Sequence, residues 1–223
     1  MPSSADRAMV EKYATTEIYV VKKWQSYLSC FVNLFTQLPM QVAYFYMPWI
    51  AHKIEKSIKK LQPDHIYCQL IRSTEYVKNH HACPKTLDYM DALSAGIERR
   101  IKLAPFYSSW IFKLEARRLK EYETKVFDYF ENRYIISDQD KKLLLHPDKS
   151  KVVCSPNGVN PELLNPYSIE AKYDLVFVGN LNYPPNIEAV KYIVHQILPL
   201  LNKDKKEYSF LAAGAQPHPS LVQ

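Results

Sequence analysis

The chain has 223 residues, 47% of them hydrophobic and 23% charged, and carries a net charge of +6. That is the composition of an ordinary globular chain, and it excludes a disordered or low-complexity one. Cys30, Cys68, Cys83 and Cys154 are far apart and form no Cys-x-x-Cys pair, so buried free thiols in a reducing, cytoplasmic compartment are expected rather than a disulfide or paired-thiol framework. Only four glycines occur, Gly96, Gly158, Gly179 and Gly214. That is few for a complete nucleotide-binding enzyme, whose phosphate loops need close backbone approach. The basic residues alternate with acidic ones, and no aromatic–glycine RNA signature accompanies them, so no nucleic-acid partner is expected.

The opening MPSSADRAMVEK is polar and is not a secretory signal. Residues 17–24, EIYVVKKW, are β-branched and alternating, which predicts a strand passing into a helix. From 24 to 51 there is no Asp, Glu, Lys or Arg, and Lys23 and Lys53 flank the gap. That length would span a bilayer, but Gln25, Asn33, Gln37, Pro39, Gln41 and Pro48 interrupt it. The segment therefore reads in three ways: a helix pair broken at Pro39 and buried, a membrane-facing surface, or a transmembrane helix.

Ile50, Ile54, Ile58 and Leu61 recur at helical spacing over 47–61, with lysines toward the C-terminal end, where the helix dipole favours them. Residues 65–71, HIYCQLI, read as a buried strand. NHHACP at 79–84 groups His80, His81 and Cys83 without an evident fourth ligand, so a solvated loop is expected rather than a metal site. Residues 85–94 read as a short strand running into a helix, with Asp88 and Asp91 near the strand's carboxyl end. A long helix is predicted over 106–133, with Glu115 and Arg118 three apart and placed to form an ion pair. A strand, an N-cap at Ser137 or Asp138 and a short helix follow. The HPD tripeptide at 146–148 is followed too soon by a β-branched strand to belong to a J-domain. Residues 151–164 predict a strand ending in a Pro-Asn-Gly turn, with Gly158 at positive φ.

From Asp174 the chain reads DLVFVGNLNYPPNIEAVKYIVHQILPLL. A strand ends at Gly179, Asn186 is a candidate N-cap, and Ile187, Val190, Val194, Ile197 and Leu201 recur at spacings of three and four. Strands alternating with helices argue an α/β fold with parallel sheets. Ligands of such sheets bind beyond the carboxyl ends of the strands.

The succession SPNGVN, a short linker, LVFVGNLNYPPNIEAVKYIVHQILPLL and FLAAGAQPHPSL, preceded by LDYMDALS, EARRLKEYE and YIISDQDKKLL, resembles the domain junction of family 4 glycosyltransferases, in the branch of exopolysaccharide sugar transferases. The resemblance covers residues 64–221. It implies the GT-B fold: a partial N-terminal Rossmann-like, acceptor-side domain over 1–160, a linker at 161–173, and the first βαβ unit of a C-terminal Rossmann-like, donor domain over 174–223. It also implies retaining sugar transfer from a nucleotide-sugar donor to a glycan or lipid-linked acceptor, with no metal and no other cofactor. Asn157 and Gly158 then match the inter-domain turn, Gly179 and Asn180 the donor side of the cleft, and Asp88 and Asp91 the acceptor side. The family's opening glycine-rich strand-loop and its later paired glutamates have no counterpart here. The expectation is a fragment truncated at both ends, inactive alone and placed in the cytoplasm or peripherally on the inner membrane. The rival expectations are a non-catalytic interaction protein on a partial Rossmann-like fold and an unrelated nucleotide-binding enzyme.

Overall fold

The structure, a computed structural model, describes residues 4–101, 105–164, 171–201 and 207–222. It is a mixed α/β fold with parallel sheets, divided into compact units Met1–Gly158 and Val159–Gln223. Of the expected linker, residues 165–170 lie outside the described residues.

The first unit opens with α1 (Ser4–Glu11), α2 (Lys23–Asn33), α3 (Met40–Ala43) and α4 (Pro48–Leu61). Residues 17–22 form no strand; among the described residues the β-branched run has no strand to pair with. Pro39 and Pro48 each start a helix, the first as N-cap of α3 and the second at the first turn of α4, where a missing N–H costs nothing. Gln62 ends α4 in the left-handed region at φ 44°. Four strands follow in the sheet order β1-β2-β3-β4: β1 (Ile66–Gln69), β2 (Lys85–Asp88), β3 (Asn132–Ile135) and β4 (Val153–Cys154), all parallel. A 3-10 turn (Ile71–Tyr76) joins β1 to β2, α5 (Leu93–Ile101) and α6 (Phe106–Phe127) join β2 to β3, and α7 (Asp138–Leu143) joins β3 to β4.

Strands added in sequence order always step the same way across the sheet. Parallel connections are right-handed in nearly every case, so these crossovers gather on one face. The burial agrees. Cys68, Leu87 and Ile135 share the covered face and join a core with Tyr89, Leu119, Val126, Phe127 and Phe130. The alternate residues Tyr67, Gln69 and Val153 are exposed on the opposite face. Of the strand expected to be buried at 65–71, β1 buries Cys68 alone, because it is an edge strand of a sheet covered on one side, and Ile71 is buried in the 3-10 turn that follows; Cys30, Cys83 and Cys154, also expected to be buried, are only half-buried.

The long helix α6 stops at Phe127, earlier than expected, and Phe130 turns into the core ahead of β3. Glu115 does not pair with Arg118. Its carboxylate accepts from the backbone N–H groups of Met40 and Gln41 at 2.9 and 2.8 Å, capping α3, while Arg118 donates to the Leu34 carbonyl at 2.8 Å. Eight residues along α6, buried Glu123 does the same for α5, accepting from Ser94 N at 3.0 Å and Ser94 Oγ at 2.6 Å. Two buried glutamates of one helix therefore supply the N-terminal caps of two others, where the dipole favours negative charge. Ser137 caps α7 through Asp140 N as expected. His146 of the HPD run is structural, stacked on Phe127 and 3.2 Å from Asp128.

The second unit is a βαβ unit. β5 (Leu175–Val178) pairs in parallel with β6 (Phe210–Ala213), and between them run α8 (Pro184–Tyr192), a π-helical turn (Ile193–Ile197) and α9 (Leu198–Leu201). The helix N-cap is Tyr183 and not Asn186, because Pro184 and Pro185 occupy the first helical positions. The wide turn precedes Pro199, whose ring would clash with a regular i−4 carbonyl. It moves the apolar stripe by one residue: Ile187 and Val190 are buried, Ile193 is half-buried and Val194 is exposed.

Candidate functional site

A groove of about 320 Å³ lies at the carboxyl ends of β1–β4, on the open face of the first unit. Tyr67 and Asp88 line it from β1 and β2, and Tyr134 lines it from β3. Ser155, Asn157 and Gly158 close it from the segment after β4. Register explains the meeting. Asp88 pairs with Gln69 and Tyr134, and Tyr67 lies two residues before Gln69, so all point to the same side of the sheet.

The Tyr67 hydroxyl donates to Asp88 Oδ2 at 2.6 Å, and Met90 N donates to Oδ1 at 2.9 Å. The hydrogen bond to Asp88, then burial, then the charge of Asp88 push the Tyr67 phenol up to about 12. Tyr67 is therefore a proton donor throughout the physiological range. Each Asp88 oxygen holds one donor and keeps a lone pair for another. The backbone around this carboxylate is held tightly. Met90 sits at φ 63° and Leu70 at φ 68°, both unusual for residues with a side chain, and Leu70 N donates to the Asp88 carbonyl at 2.8 Å.

The lining offers a carboxylate, two phenols, a hydroxyl and an amide, and none of its residues is Lys or Arg. Such a groove suits a neutral, hydroxyl-rich ligand. Aromatic rings can pack on its apolar faces, while the carboxylate accepts from its hydroxyls. A diphosphate would meet the Asp88 charge with no cation to offset it.

Of the residues singled out in the sequence, Asp88, Asn157 and Gly158 come together here. Asp91 does not: the left-handed Met90 turns the chain away, and Asp91 is an exposed residue whose carboxyl is raised by partial desolvation and by Asp140, with Arg72 and Arg99 opposing. Gly158 has no positive φ, and residues 155–160 form no turn. The segment instead runs on from β4, tied by Ser155 N to the Ile135 carbonyl at 2.8 Å.

Gly179 and Asn180 end β5 in the second unit. A Cβ on Gly179 would lie 2.8 Å from Asn186 Nδ2, and one on Gly214 would lie 1.6 Å from the Gly179 oxygen. The two glycines thus let β5 and β6 end in close contact. Asn186 Nδ2 donates to the Asn180 carbonyl at 2.9 Å, and Asn180 Oδ1 accepts from Asn182 N at 2.9 Å. This is a stiff strand-to-helix turn.

Tyr67 and Tyr134 are the site residues that sequence reasoning missed. Their signal was present: each lies on a strand neighbouring β2, Tyr134 one and Tyr67 two positions from its carboxyl end. A scan against protein-family models finds no match to this chain, and no curated protein is significantly similar to it.

Proposed function

We propose that the chain is related to family 4 glycosyltransferases and that the groove around Asp88 receives the sugar acceptor. In this reading Asp88 orients an acceptor hydroxyl, Tyr67 and Tyr134 pack beside the sugar ring, and Asn157 holds a further hydroxyl. The turn at Gly179 and Asn180 faces the nucleotide-sugar donor. The observation that carries the reading is the Tyr67–Asp88 pair, set beside Ser155 and Asn157 in a groove lined by no cation. The test is binding of glucose, galactose, maltose and cellobiose to the 223-residue chain, followed by NMR. Saturable shifts at Ile136 and Asn157 are expected with at least one sugar, weakened about tenfold by Asp88→Asn, in keeping with a hydrogen bond to a charged group. Absence of shifts with all four sugars, or tighter binding of UDP at the same residues, defeats the reading.

A second proposal is peripheral membrane contact, and it rests on α2. No described helix is long and apolar enough to cross a membrane. Yet α2 turns Ser26 inward and exposes Trp24, Tyr27, Leu28, Phe31 and Val32, followed by Phe35 at 85%. Those positions recur at spacings of three and four, so a stripe of aromatic and aliphatic side chains faces solvent. Lys22 and Lys23 start it, and no acidic residue occurs between 24 and 51. An anionic bilayer surface matches that combination of aromatic residues and lysines.

A further inference from the structure

A second cavity of the first unit, about 390 Å³, is unrelated to the groove around Asp88. It lies among α2, α3, α5 and α6, and its volume falls within the range of small-ligand sites, about 300–1,000 Å³. Its wall is mostly apolar, with Phe45, Ile97, Ile111 and Phe112 in it, and two guanidinium groups, Arg72 and Arg100, share that wall.

The charges are unbalanced. Glu115 is the acidic residue of the lining, and both its oxygens already accept backbone N–H groups at the start of α3. Arg100 has no ion-pair partner among the described residues. Arg72 holds its guanidinium 5.3 Å from the Phe45 ring centre, which fixes it in the wall beside the apolar side chains. Asp91 acts on Arg72 and Arg99 from outside the lining. With Glu115 engaged at α3, the lining keeps an excess of guanidinium charge that an anionic head would offset.

We propose that this cavity binds an amphiphilic anion, its apolar chain against Phe45, Ile97, Ile111 and Phe112 and its phosphate or carboxylate head on Arg72 and Arg100. Guanidinium groups suit such heads because they donate in a planar fork. The same chemistry belongs to a free amphiphile and to a lipid drawn from a bilayer.

The experiment titrates the full 223-residue chain with decyl phosphate below its micelle concentration, by calorimetry, with decanol and inorganic phosphate in parallel. Saturable binding of decyl phosphate is expected, with decanol weaker by about tenfold or more and inorganic phosphate neither binding nor competing. Arg100→Gln, at an exposed position, should weaken decyl phosphate about tenfold while leaving thermal unfolding unchanged; Arg72→Gln should do the same if it folds. Asp88→Asn should leave this binding intact, which separates the cavity from the proposed sugar groove. Equal affinity for decanol and decyl phosphate, competition by inorganic phosphate, or indifference to Arg100→Gln overturns the proposal. Phosphatidylglycerol vesicles then identify the source: if Arg100→Gln weakens vesicle binding as it weakens decyl phosphate, the head group is a bilayer lipid's. If vesicle binding ignores Arg100 while decyl phosphate binding does not, the ligand is a free amphiphile.

Discussion

The Tyr67 phenol and the Asp88 carboxylate meet at 2.6 Å, and the contact holds the phenol near 12. Replacing Asp88 by Asn keeps the shape but removes the charge that disfavours phenolate. The Tyr67 midpoint should then fall toward the ordinary value of about 10, read from the Cζ shift of labelled tyrosine across pH 8–13. Tyr67 is raised in the folded state, so its contribution to stability is complete below about 10 and is lost as pH rises through about 12. Glu123 carries the same sign in the acid range. Burial raises its carboxyl, the Ser94 hydrogen bonds oppose that, and Asp91 adds to it. The folded protein therefore holds this proton more tightly than the unfolded chain does. The stabilisation is full below the ordinary carboxylate value and is lost as pH rises through the raised one. Glu123→Gln should flatten that decline in a series of melting temperatures from pH 4 upward; an unchanged slope would show that Glu123 is not its source.

Among the elements, α2 departs from the buried reading of residues 24–51. Its apolar spacing is regular, and such spacing normally marks the buried face, but here Ser26 is buried while Trp24 and Phe31 are exposed. Substituting both Trp24 and Phe31 by Asp should reduce sedimentation with phosphatidylglycerol vesicles about tenfold or more with little change in unfolding. The glycines make a contrasting pair. At Gly214 a Cβ would meet the Gly179 oxygen at 1.6 Å, so Gly214→Ala should destabilise the second unit by at least about 1–3 kcal/mol. At Gly158 nothing lies within 4 Å and φ is not positive, so Gly158→Ala should stabilise by about 0.4–1 kcal/mol. Chemical denaturation checks both. These elements also show what was legible beforehand. Helices α4 and α8 and strands β2 and β5 could be read from periodicity and flanking proline or glycine. Asp88 could be placed at a strand end because strand residues run straight into a helix there. The capping by Glu115 could not be read, since its partners lie 75 and 74 residues away, and the direction of α2 could not, since apolar spacing does not say whether that face is covered. The turn expected at Gly158 failed for a related reason: its composition suits a turn, but Ser155 is bound to β3 and draws the segment onward.

At the scale of the whole molecule, the two units are unequally built. The first has a contiguous core running from Val42 through Leu87, Leu119 and Val126 to Val152, with two helices capped by buried carboxylates. In the second, the buried apolar side chains among the described residues are Leu181, Ile187 and Val190, and Val176 and Val178 of β5 are 55% and 77% exposed. Amides open according to how much local packing must be broken, and small cores protect poorly. Hydrogen exchange at neutral pH should therefore be slowest in β2, β3 and the second half of α6, and faster in β5, β6 and α8 although their backbone hydrogen bonds are equally regular. Strand pairing alone would give β5 and β6 the same protection as β2 and β3. Equal protection in both sheets would mean that the exposed valines are covered in solution, and a nucleotide sugar that slows exchange in β5 would place its binding at the Gly179 turn.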